Sequence, residues 1–261
     1  MIRNYKPVFF TKLLLAFLFV LGAGKSSAQN DSLSAKDSLK CSVHFGMFFA
    51  NPVGVFGSVD NANAASGYSK TGFGLNAGYS YRIVKNLCIK ADFSYVINSI
   101  NHQKLASQIE KITEQQVGLS NITSGSREAK WKNCFLLGGI SYQFWFGESK
   151  KLGLEPELLA GADYCITPDV VYSVRIDNLT FQTRNVSKRN FAFAHREALK
   201  INYLLGNRTL LSFNLGYCSA AANATGMEQI VTGNNSYSRT VNDYKINVSF
   251  VQVGFGICTR F

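Results

Sequence analysis

The sequence is short of proline, of long apolar runs and of closely spaced cysteines. It has only 4 Pro against 22 Gly, 20 Phe and 12 Tyr in 261 residues. Many glycines and aromatics with few charges indicate an all-β protein that keeps part of its apolar surface outside. Beyond residue 28 no apolar run approaches the ~18 residues of a transmembrane helix, which excludes a helical membrane protein.

The cysteines are spread too widely to form a metal or redox motif. They lie at positions 41, 88, 134, 165, 218 and 258, so no C-x-x-C pair occurs. The sequence therefore predicts no metal site and no cofactor. Cys134 and Cys165 fall near the same end of a proposed hairpin, but strand alternation puts them on opposite faces. We expect the cysteines to be unpaired.

The first residues have the pattern of a secretory signal peptide. Three basic residues precede the apolar run at residues 13–21 (LLLAFLFVL), and small residues lead up to Ala28. The run is too short for a membrane span of ~20 residues. We therefore predict a signal peptide over residues 1–28. The polar residues 29–40 are interpreted as a periplasmic tether.

The formal charge of +11 is scattered along the chain, without a basic run. Because the protein is expected to leave the cytoplasm, a nucleic-acid partner is not predicted. Anionic lipid head groups or an acidic extracellular partner fit this charge better.

Segments of alternating polarity follow one another from residue 41 to residue 261. Successive side chains of a strand point to opposite faces, so a lipid-facing strand needs an apolar residue at every second position. Its inner face can be polar. The eight candidate strands are residues 41–50, 71–83, 87–97, 130–146, 152–164, 190–205, 209–220 and 244–261.

The connections between these strands alternate in length. Three are short, at residues 84–86, 147–151 and 206–208, and four are long, at residues 51–70, 99–129, 165–189 and 221–243. Short periplasmic turns and long outer loops are typical of closed bacterial barrels with an even strand number. We predict an all-β fold: a closed antiparallel up-and-down transmembrane β-barrel of about eight strands, with both termini periplasmic. A soluble β-sandwich is the alternative, but the loop alternation does not favour it.

Two strands are irregular. Pro156 interrupts the fifth, where a proline removes a ladder donor. In the sixth, His195 and Glu197 share the face of Phe191, Phe193 and Leu199. We expect a bulge near His195, or a position of this part above the bilayer.

Residues 41–261 resemble small outer-membrane β-barrel proteins of the OmpA-transmembrane-domain, OmpX and PorT-like kind. The resemblance rests on the signal peptide, the series of strands, and a last strand in which Phe255, Ile257 and Phe261 alternate. In this family such a strand is the signal read by the barrel-assembly machinery. The resemblance thus implies outer-membrane lipids and that machinery as partners. PorT-like barrels also suggest a component of a protein-secretion machine.

Alternation places charged side chains inside the barrel. An eight-stranded barrel is just wide enough to be filled by side chains, and isolated buried charges are costly. We therefore expect a paired charge network that plugs the lumen, rather than an acid/base pair at Glu155 and Glu157. The predicted network consists of Arg82, Lys90, Asp92, Glu155, Glu157, Asp163, Arg196, Lys200 and Arg260.

The long loops are the expected functional surface. Leu105, Ile109 and Ile112 have helical spacing and predict an amphipathic helix over the barrel mouth. Alternation over residues 170–176 and 179–181 predicts a projecting hairpin, whose edges could pair with a partner strand.

No catalytic motif is present, so the sequence favours a non-enzymatic membrane scaffold whose loops bind a ligand or a surface. Three alternatives stay open: a secretion component, a narrow passive pore, and a lipid-directed hydrolase. The last would use His195 and Glu197 with Ser173 or Ser187 from the preceding loop.

Overall fold

Alternating polarity along the sequence produces a chain that is mostly β-strand. The structure is a computed structural model that describes residues 40–59, 66–117, 122–176, 179–233 and 236–261. The predicted signal peptide and all but the last residue of the tether lie outside these residues, as does the hairpin turn at 177–178. The elements, in chain order, are β1 (Cys41–Pro52), α1 (Gly54–Gly57), β2 (Gly72–Val84), β3 (Leu87–Ser99), α2 (His102–Val117), β4 (Ile122–Ser126), β5 (Lys130–Tyr142), β6 (Phe144–Phe146), β7 (Leu152–Ile166), β8 (Val170–Ile176), β9 (Leu179–Asn185), β10 (Arg189–Leu204), β11 (Thr209–Thr232) and β12 (Tyr237–Arg260).

Eight of these strands close into a barrel, which confirms the predicted fold. The antiparallel order is β10-β7-β5-β3-β2-β1-β12-β11. Residues 193–204 of β10 pair with residues 210–221 of β11 and close the wall. Short turns join β2 to β3, β6 to β7 and β10 to β11 at one end, here called the short-turn end. The opposite end, where the chain leaves β1, β3 and β7, is the long-loop end.

The barrel wall is apolar outside and polar over much of its inside. Several large apolar side chains on the outer face are at least half exposed, among them Phe45, Phe49, Phe93, Leu136 and Phe255. Lysines, arginines and acids are buried in the lumen. Within the described residues, no helix combines the length and the hydropathy needed to cross a bilayer.

The predicted strand over residues 130–146 is divided, and Pro156 gives the reason. The ladder between β5 and β7 ends at Ser141 and Glu157, and that between β6 and β7 resumes at Phe144 and Leu154. Pro156 lies between these two ladders and has no backbone N–H to donate. The backbone N–H of Gln143 turns away and donates to the Asn86 carbonyl at 2.9 Å.

The expected bulge near His195 is wrong. The register of β10 runs without a shift against both β7 and β11, with His195 opposite Ala160 and Ser219. His195 and Glu197 therefore keep the outward parity of Phe193 and Leu199.

Above the barrel, the predicted loops contain more regular structure than expected. Residues 221–232 and 237–243 do not form the predicted loop, because β11 and β12 continue as a long ribbon with an irregularity between Ala224 and Met227. The predicted hairpin forms as β8 and β9, and the predicted helix as α2. Both hairpin edges are already paired within the chain, β9 with β11 and β8 with β4. They do not remain open for a partner strand. These elements, with α1, are called the cap.

Candidate functional site

The lower lumen holds a network of ion pairs built from three strands. Glu157 on β7 is its centre: one carboxylate oxygen lies 2.9 Å from Lys90 Nζ and 3.0 Å from Lys200 Nζ. The other lies 3.1 Å from Arg196 Nη2. Arg196 Nη1 is 2.7 Å from Asp92 Oδ1, and Lys90 Nζ is 2.7 Å from a carboxylate oxygen of Glu155. Three cations thus balance three carboxylates.

Gly139 explains why β3 and β7 can share this network across β5. It is the register partner of Lys90 on one side and Leu159 on the other. Without a side chain there, Lys90 reaches over β5 to both glutamates of β7. A Cβ on Gly139 would meet the Leu158 carbonyl oxygen at 2.1 Å.

Neutral groups add further hydrogen bonds to the network. Glu155 accepts from Ser141 Oγ at 2.8 Å and from Asn202 Nδ2 at 2.8 Å. Asp92 accepts from Ser94 Oγ at 2.7 Å and contacts His44 Nε2 at 2.8 Å. His44 is not among the residues of the predicted network. His44 is on β1, two strands away from β3, which carries Asp92. Their contact therefore depends on the pairing of β1 with β2 and of β2 with β3.

Six of the nine predicted lumen residues meet in this network, and three do not. Arg82 is half-buried near the short-turn end, where its backbone N–H donates to the Lys40 carbonyl. Arg260 donates to Gln143 Oε1 at 3.3 Å, and its guanidinium lies 4.7 Å over the Trp145 ring. Asp163 is fully buried higher in the lumen and makes no ion pair with the described residues.

The residues of the predicted assembly signal lie on the outside of the barrel. Phe255 and Ile257 are exposed on β12, and the Phe255 ring is 5.3 Å from that of Phe213. Phe261 follows the strand and pairs with Cys41, donating to its carbonyl at 2.9 Å.

An aromatic layer closes the lumen above the ion pairs. The Phe250 ring stacks on Phe48 at 6.4 Å and contacts Phe135 edge-on at 5.8 Å. Above them, Phe56 of α1 packs against Trp131 at 5.4 Å, and Trp131 Nε1 donates to the Gly67 carbonyl at 2.9 Å. The sequence reasoning missed this layer, because alternation gives these positions an inward parity but does not show that their rings lie at one height and meet.

The cap forms an open-sided cavity of about 670 Å³ directly above this layer. Its floor is Phe56, Tyr68 and Trp131. The walls come from α2, the β8–β9 hairpin and β11, with Leu105, Ile109, Ile112, Val174, Ile176, Phe181, Met227 and Val231. The helix is held in place by Tyr68, whose hydroxyl donates to Gln108 Oε1 at 2.9 Å, and by Ser124, which donates to the Ala106 carbonyl.

Ion pairs fix the outer parts of the cap. Arg184 of β9 donates to both carboxylate oxygens of Asp169, at 2.9 and 2.5 Å. This hydrogen bonding holds the pKa of Asp169 below its ordinary value. Glu228 lies 2.9 Å from Arg239 Nη2 and 3.6 Å from Lys188 Nζ, and the hydrogen bond to Arg239 is the main cause of its lowered pKa.

The residues of the hydrolase alternative are not assembled. His195 Nε2 lies 3.8 Å from Glu197 Oε1, but the serine opposite His195 is Ser219. Ser187 donates to the Thr167 carbonyl, and Ser173 lies on β8 opposite Gln182. All six cysteines are free thiols. Among the described residues no group of His, Cys, Asp and Glu could hold a metal ion.

Comparison with solved structures finds similarity to outer-membrane proteins. No protein-family model matches the sequence, and a search of curated proteins found no match. Neisserial surface protein A is 12% identical, with a TM-score of 0.42 over 85% of this chain and 97% of that one. A major outer membrane protein from Thermus thermophilus is 11% identical, with a TM-score of 0.43 over 86% and 100%. The outer membrane protease OmpT of Escherichia coli is 9% identical, with a TM-score of 0.41 over 88% and 99%. Similarity this distant carries no conclusion about activity.

Proposed function

We propose that this chain is an outer-membrane β-barrel that acts as a non-enzymatic binding scaffold, with its ligand site in the cap. The apolar outer wall supports a lipid environment, since such a surface would be unfavourable in water. In that setting the short turns face the periplasm and the cap faces outward. Outer-membrane lipids and the barrel-assembly machinery are then its first partners.

The cap cavity is the observation that carries this proposal. Its volume lies within the range of ~300–1,000 Å³ typical of small-molecule sites. Its lining is mainly aliphatic and aromatic but includes polar side chains, among them the charged Glu228 and Lys245 and also Gln229, whose side chain donates to the Tyr172 hydroxyl at 3.4 Å. This composition suits a small, largely apolar molecule, whose transfer from water would supply the binding free energy.

Trp131 is a built-in reporter for the test. The chain has two tryptophans, and Trp145→Phe leaves only Trp131, at the floor of the cavity. We expect a brominated medium-chain alcohol to quench its fluorescence saturably in the full chain refolded into lipid vesicles. Ile109→Arg, which places a charge in the cavity wall, should abolish that saturation.

Ser107→Arg is the matched control, because Ser107 is exposed on the same helix. It should keep saturable quenching. Both variants must show the heat-modifiable migration of a folded barrel. Linear quenching that is equal in the parent and in both variants would contradict the cavity as a binding site.

The location is tested separately by membrane fractionation. The folded chain should be recovered with the outer membrane, whereas recovery as a folded soluble periplasmic protein would end the proposal. The secretion alternative is supported by resemblance alone, and no observation of the described residues favours it. The passive-pore alternative is opposed by the two filled layers of the lumen.

A further inference from the structure

A polar pair interrupts the apolar outer wall. On β10 the outward positions run Phe191, Phe193, His195, Glu197, Leu199 and Ile201. The phenylalanines on one side of the pair are 77% and 69% exposed, and Leu199 and Ile201 on the other side are also exposed. With no bulge in β10, His195 and Glu197 keep the outward parity of these apolar neighbours, although the Glu197 side chain is largely covered. Ionisable groups on the lipid face of a barrel are costly.

Within the described part of its own barrel, the pair makes one long ion pair between its two members, without a hydrogen bond to Glu197 Oε1. The Glu197 side chain is only 8% exposed, and its Oε1 has no hydrogen-bond partner among the described residues. The His195 ring is 34% exposed, and its Nε2 is 3.8 Å from that oxygen, beyond hydrogen-bonding distance. A buried acceptor and an accessible ring nitrogen thus lie side by side within the apolar surface.

The strands on either side carry small residues at the same positions. On β7, Ala160 and Ala162 are the register partners of His195 and Phe193, and Gly138 on β5 lies beside Ala160. On β11 the corresponding partners are Ser219 and Ala221. Small side chains let a neighbouring backbone approach closely within a membrane. This surface, residues 138, 160, 162, 195, 197, 219 and 221, is called the lateral patch.

We propose that the lateral patch binds a second copy of this chain within the membrane. The patch carries a hydrogen-bonding base and an acid on one strand, so it is complementary to itself. A two-fold axis along the membrane normal keeps equivalent residues at the same height, so it would bring the two His195–Glu197 pairs side by side, with each histidine near the acid of the other copy. Both groups then gain partners that their own barrel does not provide, and the small residues allow the contact.

Charge complementarity favours this occupant over a lipid. An anionic head group would meet the Glu197 carboxylate beside the histidine, and an acyl chain would satisfy neither group. A different membrane protein would need the same acid–base arrangement on its own surface, which a second copy has by construction.

Site-specific photo-cross-linking in intact outer membranes tests the proposal with the full chain. Phe193→benzoylphenylalanine places the probe beside His195 at little steric cost. Phe73→benzoylphenylalanine is the matched control, because Phe73 is an exposed outward residue of β2, on the opposite wall from β10. We expect an adduct of twice the chain mass from position 193 and none from position 73.

Two further variants connect the adduct to the patch. Replacing both polar groups, His195→Leu with Glu197→Leu, should lower the dimer yield roughly tenfold, which corresponds to about 1.4 kcal/mol. Ala160→Trp, which fills the patch, should do the same, whereas Ala77→Trp on β2 should not. Only heat-modifiable, folded material is compared. No dimer from position 193, equal dimer from position 73, or an adduct with a lipid or another protein would each overturn the proposal.

Discussion

Glu157 is the residue on which the lower lumen depends most. It is fully enclosed and lies within 3.1 Å of cationic groups from Lys90, Arg196 and Lys200. Those cations come from two other strands, so this single carboxylate links β3, β7 and β10. Buried ion pairs often contribute little net stability compared with an apolar core, but removal of one partner leaves the others uncompensated.

Glu157→Gln should therefore destabilise the barrel strongly. The amide cannot balance three cations, and we expect the free energy of unfolding to fall by about 3–5 kcal/mol. Urea-induced unfolding in lipid vesicles measures this change. Glu148→Gln, in the exposed turn before β7, is the control and should change it by less than about 0.5 kcal/mol. Equal effects of the two substitutions would mean that the network does not hold the strands together.

At the level of single residues, alternation predicts which side of a strand faces inward but not which residues meet. The inward positions of Lys90 and Asp92 follow from Ile89, Ala91 and Phe93 on the other face. The contact of Lys90 with Glu157, 67 positions away, depends on the register across β5, which no local pattern encodes. Alternation with Phe45, Met47 and Phe49 gives Phe48 an inward position, but it does not tell which rings Phe48 meets there.

At the level of elements, glycines on two strands make room for the aromatic layer. Phe48 of β1 lies between Gly74 of β2 and Gly254 of β12, its register partners on either side. A Cβ on Gly74 would lie 2.4 Å from Phe48 Cζ, and one on Gly254 would lie 2.3 Å from the Met47 carbonyl oxygen. The three strands can therefore approach one another around the ring only because neither neighbour has a side chain there.

Gly254→Ala should accordingly destabilise the barrel by about 1–3 kcal/mol through overpacking. The temperature at which the folded band disappears on gels should fall. Gly138→Ala is the matched control, because a Cβ at this outward position meets nothing nearer than 3.7 Å. Unchanged heat stability of Gly254→Ala would show that the wall can move away from Phe48.

The strands that sequence reasoning placed best are those with strict alternation between short turns. The sixth was placed well too, although the polar pair at His195 and Glu197 suggested a bulge that is absent. The reasoning failed where another part of the chain decides the pairing. The break at Gln143 is set by Pro156 on the neighbouring strand. The extension of β11 and β12 depends on support from β9, and residues 221–243 are polar enough to be taken for a loop.

At the scale of the whole molecule, the described chain forms three layers along the barrel axis. Ion pairs fill the lumen near the short turns, aromatic rings close it above them, and the cap covers the rings with a cavity of its own. Each layer uses side chains from several strands, so none can be displaced without separating the wall. This arrangement supports the proposed binding role of the cap and predicts a lumen that is closed to water.

Conductance across a planar lipid bilayer tests that central claim most directly. The full chain, refolded and shown to be heat-modifiable, is inserted and held under applied voltage in symmetric salt. The sealed lumen predicts no stepwise current above that of the bare bilayer. Reproducible, ohmic unit steps from the folded chain would contradict it, because they require a continuous water path past Glu157 and Phe250.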